Sequence, residues 1–256
     1  NKFKKDDFEL NMEVNNLELI LYDRTNAIKF NKVFIKYKDS KISLFSSKND
    51  INGVQVEDIN LSYFLDNENI ELSFLANGDA KEIVELFFHN FTTYNFNNFF
   101  LENGTAKIKV FLKFPINKNF NVESFEKKIT GSFSDFSIHN ESFYPFIKTN
   151  KLENIFLNFE IEDNYINING TALASNLPID FEVFKNFNDF FSIKLNFILN
   201  EQNRKDLKID FIDLKGDSKV SLAFEENESN WLISGNIDLY ENELLIPELN
   251  FIKNKK

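Results

Sequence analysis

Apolar and polar residues alternate with a period of two along almost the whole chain, and this constrains the fold more than any other feature. Leu17, Leu19 and Leu21 alternate with Glu18, Ile20 and Tyr22. Further on, Ile70, Leu72 and Phe74 form such a run, and so do Ile108, Val110, Leu112 and Phe114. The pattern returns at Ile155, Leu157, Phe159 and Ile161, then at Ile179, Phe181 and Val183. It closes with Leu195, Phe197 and Leu199, and with Val220, Leu222 and Phe224. Successive side chains of a strand point to opposite faces, so each run has one apolar and one polar face. That is the pattern of antiparallel sheets with one wet side, not of parallel strands buried on both.

Short polar clusters punctuate the runs. Asn15-Asn16, Asp66-Asn67-Glu68-Asn69, Glu162-Asp163-Asn164, Asn200-Glu201-Gln202-Asn203 and Glu226-Asn227-Glu228 read as turns between strands. Connections this short make chain neighbours into sheet neighbours, and the spacing predicts roughly fifteen strands. One helix is expected over 79–89, where Asp79 precedes Glu82 by three residues like a capping box and Ile83, Leu86 and Phe87 share a face. Shorter helical turns are expected at Phe143 to Ile147 and Glu201 to Leu207. The expected fold is all-β: an elongated, curled antiparallel sheet with one or two short helices. The pattern lapses near Lys118 to Lys127, which divides the chain into segments 1–117 and 118–256.

Composition removes several function classes. The chain has 29 Lys+Arg and 40 Asp+Glu in 256 residues, a formal charge of −11. Nucleic acid is therefore not an expected partner, nor is an anionic membrane surface held by charge. With 0 Cys there is no disulfide, thiolate nucleophile or Cys-based zinc site. Two His, His89 and His139, read as element-boundary residues, so neither a metal site nor a cofactor is expected. There is no Gly-rich phosphate loop, no G-x-S-x-G elbow and no H-E-x-x-H. Chance pairs among so many carboxylates carry no glycosidase signal, and the chain is not expected to be an enzyme. The sequons at Asn60, Asn90, Asn103, Asn140, Asn169 and Asn227 are what an Asn-rich chain supplies by chance. Trp231 reads as a packed aromatic before it reads as a sugar platform.

The 32 Phe in 256 residues are an AT-rich compositional signature, yet many sit at apolar-face positions of strands. The strands thus present a large apolar face, which can pack on a second sheet or serve as a ligand surface in a trough. Periodicity alone leaves both open.

The order of several short motifs carries a resemblance. Gly131-Ser132-Phe133-Ser134-Asp135-Phe136-Ser137-Ile138 is followed by Tyr144-Pro145 and Leu152 to Phe159. Then come Asn169-Gly170-Thr171-Ala172, Leu177-Pro178-Ile179-Asp180-Phe181, the polar stretch Glu201 to Leu207, Leu214-Lys215-Gly216 and Val220 to Phe224. Upstream, Leu101 to Ala106 resembles a related strand start. Over 103–250, and most closely 129–225, the chain resembles the AsmA-like family of bacterial envelope proteins, the YhdP- and TamB-type lipid-transfer proteins. It departs from that family in its scarcity of Gly, Ala and Arg and its heavy use of Phe.

The resemblance implies the periplasmic part of a protein anchored in the inner membrane by one helix outside this segment. Its apolar groove would conduct phospholipid between inner and outer membranes. The ligand is then a phospholipid or other acyl chain, envelope proteins are possible partners, and membrane contact belongs to parts outside the segment. The start at Asn1 and the unpunctuated end at Lys256 fit a piece of a longer chain. The expected groove lining is Leu72, Phe74, Ile108, Val110, Leu112, Phe114, Ile155, Leu157, Phe159, Ile179, Phe181, Leu195, Phe197, Leu222 and Phe224. Two other readings compete: a structural or adhesive β-sandwich or solenoid of the envelope, and a carbohydrate-binding sandwich using Trp231 and Tyr residues.

Overall fold

The computed structural model describes residues 8–19, 28–51, 53–88, 100–115, 126–139, 151–187, 190–207, 214–227, 230–246 and 251–255. The protein is all-β. The first strands are β1 (Leu10–Leu19), β2 (Ile28–Lys38), β3 (Lys41–Ile51), β4 (Val54–Phe64) and β5 (Asn69–Asp79). After a helical turn come β6 (Phe100–Glu102), β7 (Thr105–Pro115), β8 (Glu126–His139) and β9 (Lys151–Glu162). Next are β10 (Tyr165–Ala174), β11 (Leu177–Asn186) and β12 (Phe190–Leu199). The chain closes with β13 (Leu214–Lys215), β14 (Ser218–Asn227), β15 (Asn230–Asp238), β16 (Glu243–Ile246) and β17 (Phe251–Lys253).

One large antiparallel sheet takes the strands in chain order, β1 to β5, then β7 to β12, then β14 and β15, with β6 attached to β8. It is not closed into a barrel. β13, β16 and β17 form a separate three-stranded sheet. The chain divides into two compact units, 1–97 with 101–134 and 158–163, and 98–100 with 135–157 and 164–256. Most of the segment expected as a boundary, together with Phe143 to Ile147 and His89, lies outside the described residues.

Two-residue connections set the register of successive strands. Asp39 and Ser40 both have positive φ (51° and 58°), as do Ser175 and Asn176 (50° and 67°). They join the pairs Lys38↔Lys41 and Ala174↔Leu177. Two left-handed residues in succession make the turn whose twist matches that of the flanking strands.

The alternation slips by one residue at particular sites inside strands. Asn15-Asn16 is not a turn, as the sequence suggested: β1 runs through it, with Asn16 at φ 56°. In the same unit Asp58 takes φ 52° inside β4, and the pairing of β4 with β5 shifts register between Glu57 and Asn60. Val56 and Ile59, three apart, are consequently both buried. So are Phe30 and Val33 in β2, and Ser46 and Asn49 in β3. Register aligns these steps: Val14↔Val33 and Leu17↔Phe30, then Ser46↔Ile59 and Asn49↔Val56. The slips thus run as a line across four strands. Where the line leaves two polar side chains inside, they bond each other and the backbone. Ser46 Oγ donates to Lys32 O at 2.8 Å, and Asn49 Nδ2 donates to Ser46 Oγ at 3.0 Å. In the other unit Asp135 in β8 and Asn154 in β9 take the same conformation (φ 55° and 48°). The in-strand positions are all Asn or Asp, whose short polar side chains tolerate the left-handed region.

A similar local device ends β5 and β12. Asp79 caps α1 (Ala80–Ile83), its carboxylate accepting from the N–H groups of Lys81 and Glu82, and the helix continues as a π turn over Val84–Phe88. Asn200 caps α2 (Glu201–Asp206) in a reciprocal box with Asn203. Each helix leads to a two- or three-residue strand, a glycine at positive φ (Gly104, 85°; Gly216, 91°) and a long strand.

Asp58 gives a test of the phase slip. Asp58→Val forces a β-branched residue into the left-handed region and is expected to lower stability by about 1–2 kcal/mol, whereas Asp58→Gly costs less. Chemical denaturation of the two variants beside the parent measures this.

Candidate functional site: an apolar sheet face

Cross-strand register decides which apolar residues share a face, because directly opposed residues of an antiparallel pair project to the same side. In the unit holding β10 to β15, Phe181 opposes Gly170 and Leu195, Leu195 opposes Leu222, and Leu222 opposes Gly235. One row over, Ala172, Ile179, Phe197, Val220 and Ile237 form a second line, and Ile168, Val183, Ile193, Phe224 and Ile233 a third. All six predicted residues from this unit's paired strands, Ile179, Phe181, Leu195, Phe197, Leu222 and Phe224, therefore stand on one face. They are half-buried, and the face grows more exposed toward β15, where Ile233 is 66% and Ile237 57% exposed.

The unit holding β1 to β7 brings together the other large group. Leu72 opposes Leu112, Phe74 opposes Val110, and Ile70 opposes Phe114, with Ile108 beside them opposite Ala76. The face continues onto β8, where Val110 opposes Ile129 and Ile108 opposes Gly131. Gly131 has a specific reason to be glycine. A Cβ there would lie 2.9 Å from the Phe159 ring and 2.5 Å from Lys107 O, so Phe159 occupies the space over the glycine. Phe159 also packs on Phe133, their ring centroids 5.6 Å apart. Ile108, Val110, Leu112 and Phe159 are buried here, while Leu72, Phe74 and Phe114 are half-buried. Of the remaining predicted residues, Ile155 is buried and Leu157 half-buried, on alternate positions of β9. The two faces thus differ in closure: this one is largely sealed, whereas the face of β11, β12 and β14 stays partly accessible.

The reverse face carries charged and amide groups together with a cluster of Tyr165, Phe184 and Phe190. Glu182 opposes Lys194, with an ion pair at 3.7 Å, and Ser221 Oγ donates to Asn196 Oδ1 at 2.7 Å. Lys128 bridges Glu160 and Glu162 at 2.7 and 2.6 Å. These hydrogen bonds, Glu160 first and then Glu162, hold its ammonium above the usual lysine range. All three groups are solvent-exposed to a third or more, so their role is solubility and strand order rather than net stability.

At one end the partly open face is closed by α2. Leu207, just past the helix, packs with Leu177, Leu199 and Val220. Arg204, 3% exposed, anchors the helix. Its Nη1 donates to Leu199 O (2.9 Å) and Gly216 O (2.8 Å), and its Nη2 to Leu214 O (2.7 Å). One planar guanidinium thus satisfies carbonyls of β12, of β13 and of the glycine turn. Beside it Asn242, fully buried, donates to Lys215 O and Ser218 Oγ, and Lys253 donates to Asn242 O.

Pattern reasoning did not single out Arg204 or Gly131 for these roles. Nor did it list Val54, Val56, Ile129, Phe133, Ile193 or Val220, which share the faces. For most of these the alternation was itself the available signal. Val56, Ile59 and Phe136 needed the phase slip to be placed. His139 ends β8, half-buried. Trp231 lies in β15, opposite Glu226 by register. Among the described residues no group of three His, Asp or Glu is placed to hold a metal ion, and no helix is long and apolar enough to cross a membrane. No family model, curated protein or solved structure matches the chain.

Arg204→Met would leave the carbonyls of Leu199, Leu214 and Gly216 without this donor, a loss on the order of 3 kcal/mol. Arg204→Lys is not expected to restore it, because an ammonium lacks the fork. Exposed Lys205→Met should stay within about 0.5 kcal/mol of the parent in the same denaturation series.

Proposed function

We propose that this chain is a segment of a lipid-conducting protein of the bacterial envelope, and that the apolar face of β11, β12 and β14 holds acyl chains. The observation that carries the proposal is the register itself. Six predicted lining residues fall on one face, and that face is half-buried rather than sealed. A soluble protein seldom leaves such a surface unused. The motif order over 129–225 that resembles the AsmA-like family supports the same reading, and with it a periplasmic location and an anchor outside this segment.

The chemistry required is modest and calls for no catalytic group. Each buried CH₂ contributes about 0.8 kcal/mol. Burial of about ten methylenes would therefore give roughly 8 kcal/mol before ordering costs, an affinity near micromolar at best. Rows of Ile, Leu and Phe in regular register offer many nearly equivalent positions. A chain held this way binds without being locked in one place, as conduction needs. The carboxylates and lysines of the reverse face keep the sheet in water and give an anionic headgroup no cluster of cations.

Site-specific photo-cross-linking tests the assignment. A photoreactive residue at Phe181, Phe197 or Leu222 should capture phospholipid, while one at Asp180 or Lys194 on the reverse face should not. Phe181→Glu should cut co-purified lipid, read by mass spectrometry, several-fold with the fold retained by circular dichroism. A lipid-free parent protein, or equal capture from both faces, would sink the reading in favour of a structural sandwich.

A further inference from the structure

Among the described residues β15 pairs only with β14, which makes it one edge of the large sheet, and it lacks the protection of the other edge. Edge strands expose unpaired N–H and C=O groups and are usually blunted by charge. β1, the opposite edge, follows that rule. Glu13 in the strand pairs with Lys32 at 2.9 Å, and Glu9, just before it, with Lys36 at 2.7 Å. β15 carries no charged residue from Asn230 to Ile237, and every residue from Leu232 to Asp238 is exposed. Its apolar side chains stand on both faces, with Leu232 61%, Ile233 66% and Ile237 57% exposed.

The order of residues along this edge is nearly palindromic about Gly235. Ser234 and Asn236 flank the glycine, and Ile233 and Ile237 flank those. We infer that β15 pairs antiparallel with β15 of a second copy of this chain, about a twofold axis at Gly235. In that register Ile233 of one copy opposes Ile237 of the other, Ser234 opposes Asn236, and Gly235 opposes itself. Like meets like at these central positions, and although Leu232 would oppose Asp238, no charge is brought against an equal charge. The arrangement also continues the apolar face. Ile233 already opposes Phe224, and Ile237 opposes Val220, so the rows would run through the axis into the second copy. A self-complementary patch makes a closed dimer, whereas pairing β15 with the charged β1 of another copy would be head-to-tail and open-ended. The dimer rests on the strand edge and not on what the face carries.

Light scattering coupled to size exclusion gives the first measurement, with twice the 30.1 kDa chain mass expected at high protein concentration. Ile233→Lys should return the monomer mass, and the double variant Ile233→Lys/Ile237→Glu should recover the dimer, since Lys and Glu then face each other across the axis. Both positions are exposed, so at dilutions where the parent is monomeric the thermal unfolding of each variant should match that of the parent. The chain has no cysteine, so register can be read directly. A mixture of Ser234→Cys and Asn236→Cys proteins should join through a short thiol cross-linker, at least several-fold more than either alone. A monomer at all concentrations, an open polymer, or a dimer indifferent to Ile233→Lys would each overturn the inference.

Discussion

Phase is the constraint on which this structure depends. A strand that slips by one residue turns its whole apolar set to the wrong side. The sheet runs from β1 to β15 with few places to hide such an error, because nearly every strand is paired only with its predecessor and successor. Cross-strand contacts such as Leu72 on Leu112 and Phe181 on Leu195 exist only while phase is kept. Two-residue turns keep it between strands, and left-handed Asn and Asp correct it within them. The line through Asn16 and Asp58 shows that the correction is collective: a step in one strand is matched by steps in its neighbours, so the apolar face is kept together.

The architecture was legible because the period-two signal is local. Fifteen or so alternating runs with short polar gaps leave little but a meander, and the apolar side of most runs could be read directly. The Asp79 cap was legible for the same reason, since its carboxylate acts on backbone groups two and three residues away, whereas Asn200 read only as part of a turn. The phase slips were not legible. Asn15-Asn16 has the composition of a turn, and only pairing on the adjacent strand shows that β1 continues through it. Arg204 was also hidden, because its carbonyl partners at Leu214 and Gly216 are brought near by the sheet and not by sequence. The difference in closure between the two faces had no sequence signal: Ile108 and Leu195 occupy equivalent positions in their alternations, yet one is buried and the other half-buried.

Glycine use follows the same logic. In a chain with so few, Gly131 and Gly235 stand opposite Ile108 and Leu222, where larger neighbours extend over them. Gly104 and Gly216 instead serve the backbone, turning the chain after a short strand so that β7 and β14 enter beside β5 and β12. Elsewhere Asn, Asp and Ser take the left-handed positions that glycine would suit, as at Asp39, Ser40 and Asp58.

The neighbour-to-neighbour pairing has a consequence for how the molecule folds and fails. Strands that are neighbours in the sheet are nearly always neighbours in chain order, so a hairpin can form and then template the next, each step closing only a short loop. Cooperativity in such an array is carried through nearest neighbours, as in solenoids. Opening then starts where a strand has one partner instead of two. The sheet frays from its ends inward, and hydrogen exchange would show a gradient of protection along the strand order in place of a single global value.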